Sequence, residues 1–330
     1  MGLRAVTASV VVSAVLAACT GGGGGPARLS VERWASPNPG SVNAYWADGP
    51  DGIVVIDTGR NVTGGQKIAD EVSRKGRRVA AILLTHPHPD HVGGLGVLHE
   101  KFPDTPIYAS EATDEWMHDD PLKFYALARQ ADPDYPPTLT YPTETFASDA
   151  ELRIAGLTLQ TADFGPGESA TATVYFEPSS HALFGGDLTG NHVTPALIEG
   201  NSCGWLTDLA ALSARFGTAD TVRPGHGDPG PAARQISEQR DYLKHYRELV
   251  RPAVAPGSDA GTTVTDRETT SIVGELDRAY PNYRGWRRCR TCRNSTSRPS
   301  DVNWPGRRPR PCRRSAASQS LSRTGRAGLC

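Results

Sequence analysis

Two buried-strand patterns stand out early in the chain. Ile53-Val54-Val55-Ile56 and Val79-Ala80-Ala81-Ile82-Leu83-Leu84 are unbroken apolar runs, too short for buried helices and without the alternation of a half-solvated strand, so each reads as a strand covered on both faces. A strand over 41–45 precedes the first, separated by the turn-forming Asp48-Gly49-Pro50-Asp51-Gly52. Helical spacing follows over 67–75 and 95–102, with a strand at 106–109. Alternation of strands and helices predicts a layered α/β core. Residues 113–140 carry Trp116, Met117, Leu122, Phe124, Tyr125, Leu127 and Ala128 before Pro133 and Pro136-Pro137, the pattern of a helical insertion over a site or of a helix packed on the core. Three more strands are expected at 152–163, 172–176 and 182–185, the last two joined by a hairpin through Glu177-Pro178-Ser179-Ser180. Helices close the pattern at 205–216 and 232–250, the second with Ile236, Leu243, Tyr246 and Val250 on one face.

The two ends depart from this patterning. Met1-Gly2-Leu3-Arg4 leads into an apolar run from Ala5 to Ala18, broken only by Thr7, Ser9 and Ser13 and ending in Cys19. One early cation before a short apolar segment is the pattern of an export signal, and the run is short for a bilayer span. Leu16-Ala17-Ala18-Cys19 resembles the lipobox of bacterial lipoproteins, which implies a lipidated Cys19, membrane attachment through it, and a glycine tether over 20–25; an ordinary cleaved secretion signal is the alternative. Both readings place the protein outside the cytoplasm. Beyond residue 285 the chain turns to arginine, serine, proline and cysteine without apolar periodicity, so 286–330 reads as disordered or as a shifted reading of a GC-rich coding region. The domain expectation is therefore 1–25 for signal and tether, 26–285 for the globular unit, and 286–330 for the tail.

Charge sharpens that division. Of 35 Lys and Arg residues, 12 follow residue 285 against one acid, Asp301, which leaves the remainder with 23 basic and 35 acidic residues. An acidic body argues against nucleic acid as a partner and leaves a small molecule as the expected substrate. Cys289-Arg290-Thr291-Cys292 has the spacing of half a zinc site, but no second pair follows at the usual distance. The sequence sets no oligomeric state.

The chemistry concentrates in Thr85-His86-Pro87-His88-Pro89-Asp90-His91-Val92-Gly93-Gly94. Three histidines and an aspartate in six positions, on the loop after a buried strand, bring imidazole and carboxylate donors to one point, and packing alone requires no such set. Along an extended loop His86 and His88 project together, while Asp90 and His91 face a second position. No Gly-x-Ser-x-Gly elbow and no phosphate-binding Gly-x-x-x-x-Gly-Lys loop offers other chemistry.

The run resembles the His-x-His-x-Asp-His signature of the metallo-β-lactamase superfamily. The resemblance extends over about 40–230: Asp57-Thr58-Gly59 is similar to the motif that supports the metal loop, Gly185-Gly186-Asp187 to the strand ending in a bridging aspartate, and Arg223-Pro224-Gly225-His226-Gly227 to the last histidine ligand. It implies an α/β fold, a four-layer αβ/βα sandwich with two mixed sheets packed face to face and helices outside. It also implies two divalent metal ions, zinc foremost, with iron or manganese as alternatives. Where the family usually shows Gly-His-Thr or Gly-His-Ser, this chain has Gly167-Glu168-Ser169. Glu168 then takes the third place beside His86 and His88, with Asp90, His91 and His226 on the second metal and Asp187 between them. A carboxylate there adds a hard donor that favours iron or manganese relative to an all-imidazole pocket; the other reading is a weak first site and a one-metal enzyme.

The expected activity is hydrolysis of a small carbonyl substrate, an ester, lactone or thioester, by a metal-activated hydroxide oriented by Asp90 as the catalytic residue. Lactam hydrolysis of the β-lactamase type and a non-catalytic surface metal-binding lipoprotein are the alternatives. Asn191, His192, Trp205 and the helix around Trp116 and Tyr125 are candidate walls of the substrate pocket.

Overall fold

The computed structural model describes residues 29–38, 42–254 and 264–284. The segments expected as export signal and glycine tether, with Cys19, the Cys289/Cys292 pair and the arginine-rich tail, lie outside these residues. Among the described residues no helix is long and apolar enough to cross a membrane.

Two six-stranded mixed sheets form the middle of the molecule. The first holds β1 (Ser30–Ala35), β2 (Asn43–Gly49), β3 (Gly52–Ile56), β4 (Val79–Leu83), β5 (Ile107–Ser110) and β6 (Glu144–Phe146), in that spatial order. β1, β2 and β3 pair antiparallel; β3 to β6 pair parallel. The second sheet runs β12 (Gly230–Pro231), β11 (Thr221–Gly227), β10 (Ala182–Asn191), β9 (Ala172–Glu177), β8 (Leu157–Phe164) and β7 (Glu151–Ile154), with β10 and β11 parallel and the other pairs antiparallel.

The continuous apolar runs explain why the sheets are internal. Along β3, Val54 and Ile56 face the second sheet, where they pack with Tyr45, Leu83, Leu159, Tyr175 and Phe184. Ile53 and Val55 face the opposite way, into a cluster with Ile68, Val72, Leu95 and Leu98 of the covering helices. β9 repeats the arrangement: Tyr175 points inward, while Val174 and Phe176 meet Trp205, Leu209, Leu212 and Ile236. Each strand thus needs apolar residues on both faces, giving the layer order helix, sheet, sheet, helix.

The covering helices on the first sheet are α1 (Val62–Ser73), α2 (Pro89–Val92, one turn), α3 (Leu95–Lys101), α4 (Glu111–Asp119) and α5 (Phe124–Ala131); α6 (Ser202–Arg215) and α7 (Ala232–Val250) cover the second, and α8 (Asp266–Ala279) packs on α7. Several boundaries differ from the sequence reading for identifiable reasons. α1 begins at Val62, ahead of the expected 67, because Asn61 caps it with a 3.0 Å bond from Gly64 N. Gly64 and Gly65 look like loop residues but serve close packing; a Cβ on Gly65 would lie 2.7 Å from Gly94 Cα. The single strand expected over 152–163 is a hairpin, β7 and β8, turned by Ala155 and Gly156 at φ of 56° and 74°. α8 starts on a Thr265/Glu268 capping box, a local signal present in the sequence. Helices α4 and α5 occupy the span where the sequence shows its aromatic-rich apolar set.

Candidate metal centre

The centre lies at one end of the sandwich, where the loops after β3, β4 and β8 meet β10 and β11. The loop after β4 carries His86, His88, Asp90 and His91. Asp57, directly after β3, holds it from behind: Oδ1 accepts from Thr85 N at 2.8 Å, and Oδ2 accepts from Thr85 Oγ1 and His91 Nδ1, each at 2.8 Å. Asp57 adopts φ +58°, a left-handed conformation that aspartate tolerates better than most residues. A second brace runs between the glycines that follow the motif and the 58–61 turn. Thr58 N and Oγ1 both donate to His91 O, at 2.9 and 2.8 Å, and Gly94 N donates to Gly59 O. A Cβ on Gly94 would fall 2.1 Å from Thr58 O, so this approach requires glycine.

Asp187 sits inside β10, where the ladder with β11 shifts register between Phe184 and Gly186 and again before Gly190. Such an irregularity re-aims a side chain out of the sheet pattern. His226 is held by the opposite sheet: Asn43 Nδ2 donates to Pro224 O and Gly227 O at 2.9 and 2.7 Å, and Tyr45 Oη donates to Pro224 O at 2.8 Å. Gly225 leaves space for Asp187, since a Cβ there would be 1.9 Å from Asp187 Oδ1. Glu168 lies on the loop between β8 and β9, and the start of β9 is tied to the motif by Thr173 N donating to Thr85 O at 2.7 Å.

These elements bring seven side chains together in two groups: His86, His88, Glu168 and Asp187, then Asp90, His91 and His226. Asp187 lies between the groups, with Oδ1 3.1 Å from His91 Nε2 and Oδ2 3.0 Å from His226 Nε2 and 3.8 Å from His86 Nε2. Glu168 Oε1 is 3.4 Å from His88 Nδ1, and Glu168 Oε2 is 3.9 Å from His86 Nε2. The glutamate thus stands where the departure from the family pattern puts it. His181 and His192 stay out: His181 faces Asp220 and His192 faces Glu238, both at exposed positions.

The chain's own atoms fit a pair of cations. His86 Nε2, His91 Nε2, Asp90 Oδ2, Asp187 Oδ1 and both Glu168 oxygens are buried and lack a hydrogen bond of acceptable geometry. Convergent buried carboxylate and imidazole atoms are costly unless positive charge sits among them, either metal ions or, without metal, protons on the imidazoles. Three carboxylates and four imidazoles in two overlapping groups make a cluster suited to two metal ions.

The electrostatics agree. Burial and the neighbouring His91 hold His86 well below the ordinary imidazole value, keeping it neutral. Burial pulls His88 and His91 in the same direction, but Glu168 and Glu199 for the first, and Asp187 and Asp57 for the second, outweigh it and raise both. Burial would raise Asp90, yet His226 and His91 hold it well below the carboxylate range. His226, with burial opposed by Asp187 and Asp90, is pushed up to about 10. The sign of the pH effect follows. A histidine raised above its unfolded value of about 6.5 gives stability that is complete below that pH and lost as pH climbs through the folded value. Chelator-stripped protein should therefore lose thermal stability between about pH 6.5 and 10. Zinc affinity should rise about tenfold per pH unit for each proton displaced. Melting curves and zinc titrations at stepped pH read both, and a pH-independent zinc affinity would refute the assignment.

A cleft opens beside the cluster, lined in part by Glu168, Asp187, Thr189, Val193, Trp205 and His226. Of the candidate walls, Trp205 is there, with its Nε1 donating to Leu188 O at 2.9 Å. Asn191 instead donates to Asp228 O, and neither it nor His192 lines the cleft. Trp116 packs on Phe124, whose ring is 5.5 Å from that of His88. Tyr125 donates to Pro87 O at 2.8 Å and so pins the motif loop. Sequence reasoning missed Glu199, whose Oε1 is 3.0 Å from His88 Nε2. No motif surrounds it, and only the folded loop brings it in.

The sequence pattern of the metallo-beta-lactamase superfamily matches residues 37–257. The chain belongs to that superfamily. Among curated proteins it is 30% identical over 203 residues to the probable metallo-hydrolase YqgX of Bacillus subtilis, covering 61% of this chain and 90% of that protein. It is 25% identical over 297 residues to the linear primary-alkylsulfatase of a Pseudomonas species, covering 72% of this chain and 55% of that one, so it spans about half the alkylsulfatase's length. A metallo-beta-lactamase family protein of Thermus thermophilus shares the fold with a TM-score of 0.55 at 19% identity, over 77% of this chain and 89% of that one. The protein is thus a superfamily metallo-hydrolase, and the expected sandwich of two mixed sheets with helices outside is the fold observed.

Proposed function

We propose that this metallo-hydrolase cleaves a small uncharged carbonyl substrate, an ester, lactone or thioester. His86, His88 and Glu168 hold one divalent ion, Asp90, His91 and His226 a second, and Asp187 lies between them. The observation that carries the substrate class is the cleft wall. Beyond the cluster it consists of Thr189, Val193, Thr194, Pro195, Trp205 and Gln239 among others, and no lysine or arginine occurs among its described residues. An anionic substrate would find no side-chain cation in that wall and would have to draw on the metal ions alone to offset its lost hydration; a neutral acyl group leaves them free for the water and the acyl oxygen and needs only the apolar faces and a few hydrogen bonds.

Two divalent ions bound there would lower the pKa of a shared water and polarise the acyl oxygen. The chain's own residues do the positioning. Asp90, held ionised by His226 and His91, accepts a hydrogen bond from the attacking water and receives its proton. Trp205 and Val193 exclude solvent from the cleft. Thr189 and Gln239 offer the polar contacts that orient the acyl group. Zinc suits the imidazoles, and the three carboxylates also suit manganese or iron.

A second reading, sulfate-ester hydrolysis, is favoured by the similarity to the linear primary-alkylsulfatase over 72% of this chain. The test is a panel on zinc-loaded protein: an aryl acetate, a γ-lactone, an acyl thioester, a carboxylate-bearing cephalosporin and a primary alkyl sulfate. The neutral carbonyl substrates should lead the cephalosporin and the sulfate by about 10²-fold in kcat/KM, the scale set by one unpaired buried charge. A leading alkyl sulfate would overturn the carbonyl reading in favour of the second. Two bound zinc ions with no turnover on any class would favour a metal-binding role.

A further inference from the structure

Each histidine of the motif turns one ring nitrogen toward the cluster and the other away. For His86 the outward Nδ1 is 3.0 Å from Thr85 Oγ1, and that hydroxyl already donates to Asp57. For His91 the outward Nδ1 donates to Asp57 directly. His88 is arranged the other way round. Its inward nitrogen is Nδ1, 3.4 Å from Glu168 Oε1, and its outward Nε2 faces the Glu199 carboxylate at 3.0 Å.

We propose that Glu199 is the positioning residue of His88. Its carboxylate accepts the Nε2 proton, fixes the ring's orientation and tautomer, and presents the Nδ1 lone pair to the first metal ion. Asp57 serves His91 and, through Thr85, His86; Glu199 completes the set for the third imidazole. A ligating histidine whose far nitrogen donates to a carboxylate is a better electron donor to its metal and loses less freedom on binding it.

The local structure singles out this contact. Glu199 stands in a surface turn in which Gly200 N donates to Leu197 O, Gly200 is at φ +74°, and the preceding Ile198 is 54% exposed. A glutamate there could reach water. Its side chain is instead 4% exposed and directed at His88, a placement that costs free energy unless a donor meets the carboxylate. The same segment supplies Thr194, Pro195 and Ala196 to the cleft wall, so the part of the chain that shapes the cleft also holds a ligand of the first ion. The inference does not depend on which acyl substrate is turned over.

The experiment is zinc competition against a chelating dye with the full-length protein, comparing wild type, Glu199→Ala and Glu199→Gln. In Glu199→Ala one zinc site should weaken by about 10–100-fold, the range for lost outer partners of metal-bound histidine, and the other should hold its affinity. Saturating zinc should restore turnover. Glu199→Gln keeps an acceptor oxygen and should retain zinc within about threefold of wild type, a small part of that range. Unchanged zinc affinity in Glu199→Ala, or equal weakening of both sites, overturns the proposal. A second measurement needs no variant: long-range proton–nitrogen correlation on zinc-loaded wild type should show His88 protonated at Nε2, and the opposite tautomer overturns the proposal.

Discussion

Replacing Asp57 by alanine is expected to destabilise the chelator-stripped protein by about 3–5 kcal/mol and to lower its zinc affinity as well. Asp57 is 3% exposed and accepts three hydrogen bonds, from Thr85 N, Thr85 Oγ1 and His91 Nδ1. Two of these donors are fixed groups, a backbone N–H and an imidazole N–H. Leaving each buried without a partner costs about 1–3 kcal/mol. Alanine at φ +58° adds a smaller cost, below about 1 kcal/mol, because it meets the same Cβ crowding without the local polar contacts that let aspartate tolerate this region. Asparagine is the informative comparison. It tolerates the left-handed conformation and its Oδ1 still accepts from Thr85 N, but its amide opposes the donors at the other oxygen. Asp57→Asn should therefore keep roughly half of the stability that alanine loses, since one of the two fixed donors stays paired. Chemical denaturation of the three proteins gives these differences directly. Equal stability of Asp57→Ala and wild type would show that the 57–61 turn, not the carboxylate, holds the motif loop.

The same residue shows what was legible in the sequence. Asp57 and the motif His86 to His91 sit where strands end, and the unbroken apolar runs before them mark those two ends, whereas Glu168 lies in the loop past β8 and Asp187 and His226 lie within β10 and β11. Chain-local signals of this kind are readable because one strand end fixes one loop. The β3 and β4 runs also announced sheets covered on both faces, which is why the layer order could be anticipated. Three things were not legible. The α1 start was hidden because Gly65 serves contact with Gly94, 29 residues further along the chain, and Gly64 serves contact with Trp34, while glycine reads locally as a turn. The β7/β8 hairpin was hidden because Ala155, a residue without turn preference, takes the left-handed position beside Gly156. Glu199 was hidden because its partner lies 111 residues away in sequence, and nothing around it is periodic or repeated.

Asp187→Ala should have the largest effect on function, with the metal content of purified protein falling from about two ions per chain to below one and kcat/KM by about 10³-fold or more, since the paired-ion chemistry is lost altogether. The reason is its place between the groups, within 3.8 Å of His86 Nε2, 3.1 Å of His91 Nε2 and 3.0 Å of His226 Nε2. Without it, His91 and His226 lose the charge that does most to hold them above the ordinary imidazole value. The stripped variant should consequently show a weaker decline of stability between about pH 6.5 and 10 than stripped wild type. Glu168→Ala separates the two sites. Glu168 belongs only to the group with His86 and His88, so its removal should release one ion and leave the one held by Asp90, His91 and His226. Elemental analysis should then read about one ion per chain in Glu168→Ala, the second group being complete without it. Two ions retained in Glu168→Ala would remove the glutamate from the metal's coordination; two retained in Asp187→Ala would show that the clusters close independently and that the aspartate only screens them from each other.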